Sequence, residues 1–141
     1  MSGAFGPAAS ARCPCGGGPQ QQAYAACCGP LHAGDRPAAT AEELMRSRYT
    51  AFAVGDEAYL VRSWHPRTRP ERVDLDAATR WTGLTVLRSE RGGTDDEDGV
   101  VEFVARWSES SAGAGRRGEL HEVSRFARRA GRWLYVDGEH G

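Results

Sequence analysis

Glu119-Leu-His-Glu-Val-Ser-Arg-Phe-Ala-Arg-Arg129, then Ala130-Gly131, then Arg132-Trp-Leu-Tyr-Val136 is the stretch on which the fold turns. Leu120, Glu122, Ser124 and Phe126 alternate with His121, Val123, Arg125 and Ala127, which is the two-residue period of a strand. Ala-Gly supplies a reversal, and the aromatic run after it suits a partner strand. Upstream, Val100 to Ser108 repeats the period, with Val101, Phe103, Ala105 and Trp107 set against Val100, Glu102, Val104 and Arg106. Thr82 to Glu90 is a further strand, closed by Gly92-Gly93. The acidic run Asp95 to Asp98 with Gly99 predicts an exposed turn, Ser108 to Gly118 reads as a Gly/Ser/Ala loop, and Asp137-Gly138 reads as the end of the last strand. Four antiparallel strands in a meander follow.

Before the strands the period changes. Thr40-Ala-Glu-Glu43 is a capping box, and Leu44, Met45, Tyr49 and Phe52 recur at helical spacing until Gly55. Asp56 caps a second helix carrying Tyr59, Leu60 and Trp64, halted by Pro66. A helical turn is expected near Asp76 to Trp81. Helices followed by an antiparallel meander specify an α+β domain with helices packed on one sheet face.

The chain has 141 residues, 40% hydrophobic and 26% charged, enough for one domain with a real core plus a small appended module. Basic and acidic residues number 18 and 19, so nucleic acid is not an expected partner. No apolar run approaches the ~18 residues of a membrane span. Met1 to Arg12 has neither a basic start nor an apolar block, so a cytoplasmic location is expected. Every basic residue is Arg; without Lys, Schiff-base and lysine-nucleophile mechanisms are excluded. No G-x-S-x-G, H-E-x-x-H or phosphate-loop pattern is present.

Cys13, Cys15, Cys27 and Cys28 crowd one short segment. Around them the segment before Thr40 offers few large apolar side chains, Phe5, Tyr24 and Leu31 among them, too few for a core. Such a module needs a metal or disulfides. In a cytosolic chain the metal is favoured, and adjacent cysteines bridge each other only with strain. C-x-C, eleven residues, then C-C can place four thiolates at ~2.3 Å around zinc, a closed and therefore structural site. His32 is an alternative ligand. Gly16, Gly17, Gly18 and Gly29 let backbone amides turn toward the sulfurs.

Cys13-Pro-Cys15-Gly16 and Tyr24-Ala-Ala-Cys27-Cys28-Gly29 resemble the SEC-C zinc knuckle, known from the tail of the SecA translocase. Gly17 stands where that motif commonly has Ser, and Gln20-Gln21-Gln22 where it commonly has polar and basic residues. Met45-Arg-Ser-Arg-Tyr49, Trp64-His65-Pro66, Trp81-Thr82-Gly83-Leu84, Val101 to Ala105, Leu120 to Phe126 and Trp133 to Gly138 run in the order seen in the YchJ-like bacterial proteins. Those proteins join a SEC-C knuckle to a domain similar to nuclear transport factor 2. The resemblance implies a cone-like α+β domain, helices leaning on a strongly curved antiparallel sheet. It also implies a module at residues 1–37, a domain at 38–141 with a core of its own, and a homodimer as a possible assembly through the open sheet face.

Domains of this shape carry a pocket between helices and sheet. Tyr49, Trp64, Trp81, Trp107, Trp133 and Tyr135 are candidates for its apolar wall. His65, His121, Glu102, Glu122 and Asp137 are candidate acids and bases, and Arg48, Arg106 and Arg125 could hold an anion. His121 and Glu122 are strand neighbours, so only one can face inward; the apolar companions favour Glu122. There it is either a general base or one half of a buried ion pair with Arg48 or Arg46. His65 is either catalytic or a helix C-terminal cap that favours the imidazolium. The expected function is a zinc-binding adaptor whose knuckle recognises a protein partner. The alternative is a small enzyme (isomerase-, dehydratase- or hydrolase-like) or a small-molecule binder using the cone.

Overall fold

The computed structural model describes residues 11–111 and 114–141. Residues 1–10, with Phe5 and most of the segment read as carrying no leader, and residues 112–113 of the expected loop lie outside the described residues. Two 3-10 turns, Gly18–Gln20 and Tyr24–Ala26, lead to α1 (Cys28–Ala33). Then come α2 (Ala41–Val54), α3 (Glu57–Arg62), β1 (Thr79–Arg91), β2 (Asp98–Ser111), β3 (Ala114–Arg129) and β4 (Arg132–His140). The sheet is an antiparallel meander in the order β1-β2-β3-β4, with the helices packed against it: the α+β class expected from the sequence. Among the described residues no helix is long and apolar enough to cross a membrane.

Four local expectations are corrected. The second expected helix, α3, stops at Arg62, short of Trp64, which instead bridges to Tyr135. Residues 77–78 form a turn and β1 begins at Thr79, so no helical turn occupies 76–81. The Gly/Ser/Ala loop is instead the arm of a long hairpin, its ladder running from Trp107↔Gly118 to Ser111↔Ala114. Backbone pairing does not require side-chain alternation, and Gly118 is needed where it stands, since a Cβ there would lie 2.7 Å from the Trp107 indole. Asp137-Gly138 does not end β4, which continues to His140 and pairs it with Glu122.

The helix caps are those the sequence specifies. Thr40 Oγ1 accepts from the Glu43 amide at 3.1 Å, and Asp56 Oδ1 accepts from the Tyr59 amide at 3.0 Å. The Glu43 carboxylate reaches one residue past the usual box partner and accepts from the Ala39 amide at 2.7 Å.

α2 is buried on two sides. Met45, Arg48, Tyr49 and Phe52, spaced i, i+3, i+4 and i+7, face the sheet. Ser47 and Thr50, both fully buried, meet the cysteine segment. His32 Nε2 donates to the Ser47 carbonyl at 2.8 Å, Arg46 Nη1 donates to the Cys15 carbonyl at 2.9 Å, and Cys13 Sγ lies 3.7 Å from Thr50 Oγ1. Cys13, Cys15, Cys28 and Leu31 therefore share one continuous core with Leu44, Leu60, Val101 and Phe126. The composition break near residue 37 is not a break in burial.

Candidate functional site

Two constellations stand on opposite sides of α2. In the first, the four cysteine sulfurs lie within 4.8 Å of one another. Cys15 and Cys27 are 3.6 Å apart, Cys15 and Cys28 3.8 Å, and Cys27 and Cys28 3.9 Å. A tetrahedron with metal–sulfur bonds of ~2.3 Å has edges of about 3.8 Å, so the donor set fits a tetrahedral ion. All four cysteines are free, which removes the disulfide reading. Burial and the neighbouring Cys15 and Cys13 push the Cys27 thiol up to about 12, and hydrogen bonding with Cys13 and Cys15 pushes Cys28 upward as well. Four sulfurs this close cannot all ionise without a cation to replace their protons.

Glycines shape the cradle. Gly17 has φ +78°, and a Cβ on it would fall 2.2 Å from the Gln22 amide nitrogen; its own amide donates to Cys15 Sγ at 3.4 Å. A Cβ on Gly29 would fall 2.8 Å from the Tyr24 carbonyl. His32 is not a ligand. Its Nε2 donates to a carbonyl, which leaves Nδ1 to accept from the Tyr24 hydroxyl at 2.8 Å, so both ring nitrogens are committed. The ring packs 4.7 Å from that of Tyr59 and pins the cysteine segment to α2 and α3.

The second constellation is a cavity of ≈ 270 Å³ between α2 and the sheet. Tyr49, Phe52, Trp81, Phe103 and Leu120 supply much of its apolar wall, with Trp64 and Tyr135 beside them. Two buried charged residues line it: Arg48 from α2 and Glu122 from β3. Glu122 Oε2 accepts from Ser124 Oγ at 2.6 Å and from the Tyr135 hydroxyl at 3.1 Å, and Oε1 lies 3.1 Å from His140 Nε2. Gly138 makes room for this carboxylate, since a Cβ there would sit 2.1 Å from Glu122 Oε2. Burial, together with the charge and hydrogen bond of Glu122, pushes the Tyr135 hydroxyl upward, so it stays protonated as a donor.

Arg48 is held differently. Its Nη1 donates to the Leu60 carbonyl at 2.8 Å and to Ser63 Oγ at 2.7 Å. The guanidinium carbon lies 5.0 Å from the Trp64 ring centroid and 4.5 Å from that of Tyr135. The chain fixes both rings: Trp64 and Tyr135 form a parallel bridge, flanked by the Tyr135 amide donating to the Ser63 carbonyl and the His65 amide donating to the Tyr135 carbonyl. Burial lowers Arg48 to about 10, which leaves it a cation at neutral pH.

The candidate pocket residues separate into two groups. Tyr49, Trp64, Glu122 and Tyr135 line the cavity; His65, His121, Arg125 and Asp137 do not. His121 and Arg125 lie on the other face of β3. There His121 Nε2 is 2.6 Å from Glu102, and Arg125 pairs with Asp137 at 2.7 Å and with Glu139 at 3.0 Å. The His121 hydrogen bond and the Arg88 pair hold Glu102 below the usual carboxylate range. His65 lies beyond the end of α3 rather than capping it, and its Nδ1 accepts from the Arg67 amide at 3.1 Å. Partial desolvation and the Arg67 and Arg129 charges lower its pKa, opposite to the cap expectation. The ion pair expected for Glu122 is not made: Arg46 pairs with Glu42, and Arg48 has no carboxylate within ion-pairing distance among the described residues. Trp107 lies over Gly118 and Trp133 is buried against Ala39, both away from the cavity. His140 was missed because the strand was expected to stop at Asp137-Gly138. Two-residue counting from Tyr135 would have given Asp137 and Glu139; the irregularity at Arg125/Phe126 shifts the period so that Gly138 and His140 fall on the Glu122 face.

A family model described as YchJ, middle NTF2-like domain, matches residues 40–138. A UPF0225 protein of Streptomyces coelicolor is 50% identical over 127 residues, covering 90% of this chain and 94% of its own length. A UPF0225 protein of Ralstonia nicotianae is 52% identical over 145 residues, covering 94% of each. The solution structure of a SEC-C motif containing protein from Rhodopseudomonas palustris superposes with a TM-score of 0.73 at 38% identity, covering 92% of this chain and 98% of that one. The crystal structure of a SEC-C motif containing protein from Psychrobacter arcticus gives 0.70 at 28% identity, covering 92% and 82%.

Proposed function

This chain belongs to the YchJ-like family of UPF0225 proteins, and from that premise we propose that it is a zinc-stapled binding protein whose cone-shaped domain takes a small, largely apolar molecule. The cavity of ≈ 270 Å³ carries this reading. Its walls are aromatic and aliphatic with a few polar groups among them, Arg48 and Glu122 foremost, the usual make-up of a small-molecule site. Zinc is the ion that suits four buried thiolates at tetrahedral spacing. With no open position, its part is structural: it ties the segment before α2 onto the outer side of the helix whose inner side lines the cavity. Glu122 is the group through which proton transfer to a bound molecule would run, since it is the one carboxylate lining the cavity among the described residues. Recognition of a protein partner by the knuckle, expected from the SEC-C resemblance, has less support. Cys13, Cys15 and Cys28 are buried against α2, and exposed Arg12 is engaged by Gln21.

Native mass spectrometry of protein purified without chelator should give one zinc per chain. The neutral naphthalene dye prodan should bind saturably at one site, and Leu120→Trp, which fills the cavity, should abolish that binding in a folded protein. Non-saturable dye binding, or binding unchanged in Leu120→Trp, would overturn the pocket reading. A chain free of metal with reduced cysteines would overturn the zinc assignment.

A further inference from the structure

Arg48 has five N–H groups, and only those of Nη1 have acceptors among the described residues. Nε and Nη2 have none and keep some accessible surface, although the residue is only 6% exposed. No carboxylate lies within ion-pairing distance of it among the described residues, so a buried cation is kept without a counter-charge in contact. Such a cation costs stability unless something repays its lost hydration. Trp64, whose ring stacks on this guanidinium, carries the one buried side-chain nitrogen or oxygen among the described residues with no hydrogen-bond partner, Nε1. Both residues line the cavity, but Trp64 Nε1 is closed off from it, so the donors left open are the three N–H groups of Arg48 Nε and Nη2. At Glu122 the situation is reversed, with a carboxylate already served by Ser124, Tyr135 and His140.

We propose that the cavity is a site for a small aromatic carboxylate, with Arg48 holding the carboxylate and the aromatic wall, Trp64 included, holding the ring. A carboxylate offers two oxygens and about four acceptor positions to the free edge of a guanidinium. Tyr49, Phe52, Trp81 and Phe103 offer faces and edges to an aromatic body. Glu122 sets the polarity of the site. Its charge repels a second anion at its own end, so the ligand's carboxylate is directed to Arg48.

This inference rests on the pocket reading above, and the experiment separates the two. Binding of 2-naphthoate and of neutral 2-naphthamide is measured at pH 7.5 by calorimetry and by displacement of prodan. Wild-type protein should bind the carboxylate about 10- to 100-fold more tightly than the amide, the range expected for hydrogen bonds to charged groups. Arg48→Met should erase that preference. Because Arg48 also bonds the end of α3, that variant can fail to fold, and two others keep the test open. Arg48→Lys, which keeps the charge but not the forked donors, should narrow the preference without erasing it. Glu122→Gln should strengthen the carboxylate by removing a like charge. Equal affinities in the wild type, with prodan still binding, would overturn the carboxylate assignment and leave the pocket standing. Absence of prodan and naphthoate binding alike would remove both.

Discussion

Removing the zinc proposed for the four-cysteine site should destabilise the whole chain and not only its first forty residues. The coupling can be sized from what crosses between the cysteine segment and the helices. His32 donates to the Ser47 carbonyl at 2.8 Å, Arg46 to the Cys15 carbonyl at 2.9 Å, and Arg62 to the His32 carbonyl at 2.6 Å. At about 1 kcal/mol each, and about 2 kcal/mol for burying Leu31, the segment contributes ~5 kcal/mol to the rest of the fold. That is a large share of the 5–15 kcal/mol typical of a domain. Chelation should therefore lower the melting temperature by about 15–20 °C, and Cys28→Ser should do the same. Calorimetry gives the shift. Near-UV circular dichroism reports Trp64 and Trp81, which line the cavity on the far side of α2. Unchanged melting temperature and near-UV signal, once the cysteines have become reactive to a thiol reagent, would refute this coupling and restore the picture of two independent modules.

Other outcomes follow from single contacts. His32→Phe should cost about 1 kcal/mol in urea unfolding, because the hydrogen bond from the cysteine segment to the Ser47 carbonyl is lost, while one metal per chain is retained; loss of the metal would mean that His32 serves it directly. Gly17→Ala should lower metal content sharply, given φ +78° and a Cβ 2.2 Å from the Gln22 amide, whereas Gly16→Ala, with open space around its Cβ, should be milder; equal effects in metal analysis would contradict the cradle geometry. Burial disfavours the charged form of Glu43, but the Arg36 guanidinium and the Ala39 amide outweigh it and hold the carboxyl below its ordinary range. The stability this carries is present above the unfolded carboxyl value of ~4.3 and is lost as pH falls through the lower folded value. The melting-temperature deficit of Glu43→Gln should thus be constant near neutrality and shrink on acidification; a deficit that grows in acid would show the sign to be wrong.

The helices, their caps and the inward face of β3 were legible because each follows from local rules: a hydroxyl or carboxylate before the first turn, a glycine after the last, a period of two or of 3.6. The double burial of α2 was not read. Tyr49-Thr-Ala-Phe-Ala-Val54 has no charged side chain, and a helical segment without a polar stripe is a buried one. Ser47 and Thr50 disguised that face, since small hydroxyl residues pass for a solvent side while filling tight contacts.

The pocket was half legible for a related reason. Strand parity separates Glu122 from His121, but which strands extend, and where their register places a distant end, depends on the partner strand. His140 reaches Glu122 only because β4 runs on past Asp137-Gly138 and is shifted by the irregularity at Arg125/Phe126.

From the sequence by itself come the α+β class, the four-cysteine donor set and the face on which Glu122 stands, all of them matters of spacing within one element or one loop. The tertiary structure alone decided the rest. It joined the cysteine segment to the core of the cone, committed both nitrogens of His32 to holding that joint, and left Arg48 and Trp64 with donors that face no acceptor among the described residues. Which polar groups are satisfied depends on side chains and carbonyls brought together from distant parts of the chain, and no spacing within a single element records that.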